Sequence, residues 1–121
     1  MYKSKYFEHE KMRKCSCGCG LDIDPFALEM FDVAREYAGV PFYINSGARC
    51  AEYNAKIGGK PNSAHIRGLA FDIRFDDEVH MLKILVGLTK AGFQRIGINM
   101  AKKFIHADCD MSLPHPAYFK Y

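Results

Sequence analysis

The chain has 121 residues, 17 basic and 14 acidic side chains, a net charge of +3 and a mean hydropathy of −0.20. That length favours one domain over residues 1–121, and no apolar run approaches the roughly 18 residues of a membrane span. The basic residues are scattered rather than gathered on one stripe, which excludes an obvious nucleic-acid surface, and residues 1–14 lack the apolar core of a secretory signal.

Residues 1–23 read as a cysteine-containing loop segment, with three of the five cysteines crowded into Cys15-Ser16-Cys17-Gly18-Cys19. An odd count does not suit a disulfide framework, and the paired knuckles of a zinc ribbon are absent. The run reads as reduced thiols in a tight glycine-rich loop; a metal there would need help from elsewhere. Cys50 and Cys109 read as packing residues. Asp24 and Pro25 then open a helix as N-cap and first helical residue. Phe26, Met30, Val33 and Tyr37 follow helical spacing, Leu28, Phe31 and Ala34 widen the stripe, and Gly39 ends it.

A short strand is expected over 41–46, a short helix over 51–57 stopped by Gly58-Gly59, and a loop from 60 to 68. Residues 69–75 alternate with period two: Leu69, Phe71, Ile73 and Phe75 face one way, and Ala70, Asp72 and Arg74 the other. Asp76 or Asp77 caps a second long helix carrying Val79, Leu82, Leu85 and Val86, closed by Gly92. Its polar side, with His80, is expected in solvent. Residues 93–98 and 103–109 read as two strands joined by a turn, with His106 and Asp108 emerging together opposite Ile105, Ala107 and Cys109. These short connections favour a hairpin, so the expected fold is α+β, a small mostly antiparallel sheet with helices packed on one side.

Chemistry concentrates on three polar side chains. His65 and Asp72 lie seven residues apart across Gly68, and His106 occupies the polar face of a second strand. Two imidazoles and a carboxylate suffice to hold a catalytic zinc ion with a fourth position left for water. Arg49, after the Ser46-Gly47-Ala48 turn, adds a fixed fork for a carboxylate.

Ser46-Gly47-Ala48-Arg49, the segment Ser63 to Asp72, and Phe104-Ile105-His106-Ala107-Asp108 resemble the successive motifs of the zinc D-alanyl-D-alanine carboxypeptidases and related peptidoglycan endopeptidases. That family shares its fold with the hedgehog signalling domain. The likeness extends to Glu52-Tyr53-Asn54, to Gly58-Gly59 with Asn62, and to the closing aromatics from Tyr118 to Tyr121. The cysteine loop resembles the start of a compact phage and bacterial subgroup. The resemblance implies Zn2+ held by His65, Asp72 and His106, with Arg49 binding a stem-peptide carboxylate or polarising the scissile carbonyl. Ser63 would orient either His65 or the substrate.

Several relatives carry an acidic general base three residues before the last histidine, a position held here by Lys103. Asp108 is the substitute, either as that base or as a partner orienting a ligand histidine. One reading makes the Cys15-Cys17-Cys19 loop a separate metal site in a regulatory or nucleic-acid protein. Apart from it two functions follow: a zinc peptidase acting on peptidoglycan stem peptides, or a zinc-containing module that binds peptidoglycan without cleaving it. Either would be a monomer with no nucleic-acid or membrane partner, made in the cytoplasm and released to the wall by another route.

Overall fold

The alternation expected around Asp72 and His106 is realised in a five-stranded sheet. The computed structural model describes residues 2–121. In chain order its first elements are α1 (Glu10–Arg13), α2 (Pro25–Ala38), β1 (Tyr43–Ser46), α3 (Ala51–Lys56) and a 3-10 helix (Ala64–Arg67). Then come β2 (Ala70–Arg74), α4 (Glu78–Ala91), β3 (Arg95–Asn99), β4 (Phe104–Asp108) and β5 (Ala117–Lys120). The strand order is β1-β2-β4-β3-β5, with every pairing antiparallel except β3 with β5. This is the α+β architecture expected, and β5 is the strand the sequence pattern did not reveal.

The caps behave as the sequence dictates. Asp24 accepts from the Phe26 N–H at 2.8 Å, and Gly39 closes α2 in the left-handed region at φ 67°. Asp77, rather than Asp76, caps α4 by accepting from the His80 N–H at 2.8 Å. His80 itself is buried, its ring bonded to the Asp76 N–H and the Pro41 carbonyl, so the expected solvated position is corrected.

The core lies between one sheet face and α2 with α4. Phe71, Ile73, Ile105 and Ala107 from β2 and β4 meet Phe31, Ile84, Leu88 and Phe93 there. The buried stripe of α2 is Ala27, Leu28, Phe31, Ala34 and Ala38, while Phe26, Val33 and Tyr37 are exposed. Val79, Leu82 and Val86 of α4 are likewise exposed. The reason is close helix contact: a Cβ on Gly87 would stand 2.3 Å from the Ala34 carbonyl oxygen and 2.7 Å from Ala38 Cβ. Small residues let the two backbones approach, and the bulkier apolar residues are turned to the flanks.

The N-terminal segment is fastened rather than loose. The buried Asp32 carboxylate accepts from the Tyr2 and Ser4 hydroxyls and from the Lys5 and Tyr6 backbone N–H groups. Cys109 packs in the core as expected, but Cys50 does not: its thiol turns toward Cys15 and Cys17.

Candidate metal centre

The sheet face opposite the core carries the polar side chains. β2 and β4 pair with Asp72 opposite His106 and Ala70 opposite Asp108, and β3 places Gly97 on the other side of His106. A Cβ at Gly97 would lie 2.7 Å from Phe119, so the missing side chain lets β5 bring Phe119 in. The Phe119 ring then meets the His106 ring edge-on at 5.4 Å.

His65 arrives from the 3-10 helix. Ser63 caps this turn, its hydroxyl accepting from the His65 N–H at 3.2 Å, and Gly68 ends it at φ 70°. A side chain at Gly68 would meet the Asp22 carbonyl oxygen at 2.8 Å, so both the conformation and the space demand glycine. Nδ1 of His65 donates to the Gly47 carbonyl at 2.7 Å, which leaves Nε2 facing Asp72 Oδ1 at 3.1 Å. Nδ1 of His106 lies 3.1 Å from the same oxygen, while Nε2 faces Asp108 Oδ2 at 2.7 Å.

The ligand atoms of His65, Asp72 and His106 all lie within 4.8 Å of one another. Tetrahedral zinc with bonds of 2.0–2.1 Å sets its nitrogen and oxygen ligands about 3.3 Å apart. The two 3.1 Å separations to Asp72 Oδ1 are close to that spacing. Each imidazole also has its other nitrogen anchored, His65 on a carbonyl and His106 on a carboxylate, which is how proteins fix the tautomer of a metal-binding histidine.

Asp72 divides its oxygens between two tasks. Oδ1 meets the imidazoles, and Oδ2 accepts from an Arg49 terminal nitrogen at 3.1 Å. Arg49 is further held by its Nε–H to Ser46 Oγ at 2.9 Å and by its other terminal nitrogen to Asn54 Oδ1 at 3.3 Å. Asn54 is buried against Gly59, where a Cβ would collide with its side-chain oxygen at 2.1 Å. Both terminal nitrogens of Arg49 keep an N–H without a protein acceptor among the described residues.

Burial would push the Asp72 carboxyl up, but hydrogen bonds and charge from His106 and His65 hold it below the ordinary carboxylate range. Burial pulls the His106 imidazole down, yet Asp108 and Asp72 outweigh it and raise it to about 8. Burial pushes the Tyr121 phenol up to about 12, reinforced by the Asp72 charge, so this ring keeps its proton at neutral pH.

Asp108 is 1% exposed, with Oδ2 engaged by His106 and Oδ1 by Arg95 Nε at 2.8 Å and the Asp110 N–H at 3.1 Å. Both of its oxygens are thus engaged, one by the His106 ring and the other by Arg95 and the Asp110 main chain. Lys103 is exposed at φ 55° in the turn before β4. His115 is exposed in the tail.

The sequence reading quoted Ser46 and the closing aromatics within the resemblance but gave no role to Ser46, the Gly47 carbonyl, Arg95 or Phe119. Arg95 had a signal: it alternates with Ile96 and Ile98 and so shares the polar face with Asp108. The Gly47 carbonyl had none, because main-chain acceptors leave no trace in residue type.

A sheet face that gathers two imidazoles, a carboxylate and a guanidinium has the donor set of a metal-dependent hydrolase. The chain belongs to the family described as Peptidase M15, whose model matches residues 5–108. This is the family of the zinc D-alanyl-D-alanine carboxypeptidases, and its members are zinc-dependent. No curated protein matches the chain.

Proposed function

We propose that this chain is a zinc peptidase hydrolysing D-amino-acid-containing peptide bonds in the stem peptides of bacterial peptidoglycan. The observation that carries the reading is the anchoring of both imidazoles. With His65 Nδ1 on the Gly47 carbonyl and His106 Nε2 on Asp108, the opposite nitrogens converge on one Asp72 oxygen.

His65, Asp72 and His106 would hold the ion. Zinc bound there supplies a Lewis acid that makes water a nucleophile near neutral pH and withdraws charge from the scissile carbonyl. The chain's own residues do the rest. Arg49, fixed by Ser46, Asn54 and Asp72, offers its remaining N–H groups to the substrate's carboxylate or to charge developing on the carbonyl oxygen. Asp108 holds the proton on His106 Nε2, and Arg95 compensates the buried carboxylate. Ser63 acts on His65 through the backbone rather than on substrate. The partners in this reading are stem peptides met by a monomer, without nucleic acid or membrane. No helix among the described residues is long and apolar enough to cross a bilayer.

A second reading has its own support. With Lys103 where an acidic base would stand and Asp108 sealed from solvent, the site fits equally a module that binds zinc and peptidoglycan without turnover. Mass spectrometry of muropeptides incubated with the zinc-loaded protein separates the two. New fragments cut at D-amino-acid bonds are expected; intact muropeptides that co-sediment with the protein would favour the module.

A further inference from the structure

We propose that Cys15, Cys17, Cys19 and Cys50 form a second, structural zinc site that clamps the N-terminal segment onto the turn carrying Arg49. Their four sulfur atoms lie within 4.8 Å of one another. The individual separations are 3.4 Å for Cys15 to Cys17, 3.6 Å for Cys17 to Cys50 and 3.9 Å for Cys15 to Cys50. A disulfide requires about 2.05 Å. A tetrahedral zinc with 2.3 Å bonds spaces its sulfurs about 3.8 Å apart, close to the three separations among Cys15, Cys17 and Cys50. The set also spans one ion rather than a multi-iron cluster.

The backbone is shaped for this. Gly18 and Gly20 take φ of 85° and 92°, so the chain winds tightly enough for three alternate cysteines to face one point. Backbone N–H groups aim at the sulfurs, from Cys50 to Cys15 at 3.3 Å and from Tyr53 to Cys50 at 3.4 Å. Such donors stabilise thiolates, the form in which cysteine binds metal. As the ion enters, the thiols release their protons to solvent, and the folded site gains the binding free energy.

The clamp joins two segments that already touch. The Ala48 N–H donates to the Arg13 carbonyl at 2.9 Å, and a Cβ on Gly47 would strike the Arg13 and Met12 carbonyl oxygens at 2.7 Å. Cys50 follows Arg49 directly, and the Arg49 N–H binds the His65 carbonyl at 2.9 Å. The thiol site therefore positions both Arg49 and the Gly47 carbonyl that orients His65. It does not depend on the peptidase reading.

Metal analysis and cobalt substitution of the whole chain test this. Two zinc ions per chain are expected in the wild type, and one in a His65→Ala/His106→Ala double variant. The cobalt form of that variant should keep the strong near-ultraviolet charge-transfer bands of thiolate coordination. In Cys17→Ser/Cys19→Ser those bands should vanish. Should that variant not fold, the wild-type cobalt spectrum and the histidine variant's zinc content still decide. A cobalt form of the wild type without thiolate bands, a histidine variant that holds no zinc, iron in place of zinc, or a non-reduced mass showing disulfides would each overturn the proposal.

Discussion

Asp72 is the residue on which the site turns, because one carboxylate serves two imidazoles with one oxygen and a guanidinium with the other. Asp72→Ala and His106→Ala should each lose the zinc of this site and all measurable peptidase activity, while circular dichroism shows the fold retained. Asp108→Asn discriminates its roles: as a partner of His106 it should weaken metal affinity about 10–100-fold. A general base would instead abolish turnover with metal affinity unchanged. Arg49→Lys should lower kcat/KM about tenfold or more, because an ammonium cannot reproduce the fork held by Ser46 and Asn54. The meeting of His65, Asp72 and His106 was legible because strand alternation puts Asp72 and His106 on polar faces, and Gly68 marks the turn from His65. The partners of Arg49 and the acceptor for His65 were not, since they depend on which loops meet in space.

Among the elements, the α2–α4 contact is the most constrained. Gly87→Ala should destabilise the chain by about 1–3 kcal/mol, read from chemical denaturation, since the new methyl meets main chain and not a movable side chain. Caps and strand faces were readable because they are local: Asp24, Gly39 and Asp77 act within one turn, and β2 and β4 need only their own alternation. The phase of α2 was not. Two stripes one residue apart both fit a 3.6-residue period, and the choice between them belongs to Gly87 on another helix. β5 escaped notice because residues 117–120 carry no clean alternation, and its parallel pairing with β3 follows a long excursion through a turn. Cys50 was misread for a similar reason: its partners Cys15 and Cys17 lie 35 and 33 residues upstream by sequence.

For the molecule as a whole, protons and metal compete. In the metal-free protein His106 titrates at about 8, above its ordinary 6.5, so its ion pairs with Asp108 and Asp72 contribute fully below pH 6.5. That contribution is lost as pH rises through 8, and the apoprotein should become less stable across this interval. Zinc affinity at the histidine site should rise over the same interval and level off above it, as isothermal titration would show. Asp110 acts in the opposite sense. Burial alone would raise it, but Ser112 and Arg67 hold it below the usual carboxylate range, so its contribution is present at neutral pH and lost in acid. Asp110→Asn should therefore cost about 1–3 kcal/mol at pH 7 and flatten the acid limb of the stability profile. The most direct measurement is an anomalous difference map at the zinc edge from crystals of the metal-loaded protein. A peak bonded by His65 Nε2, Asp72 and His106 Nδ1 is the predicted result. No peak at that point, or either imidazole swung away from it, would contradict the assignment of this sheet face as a zinc centre.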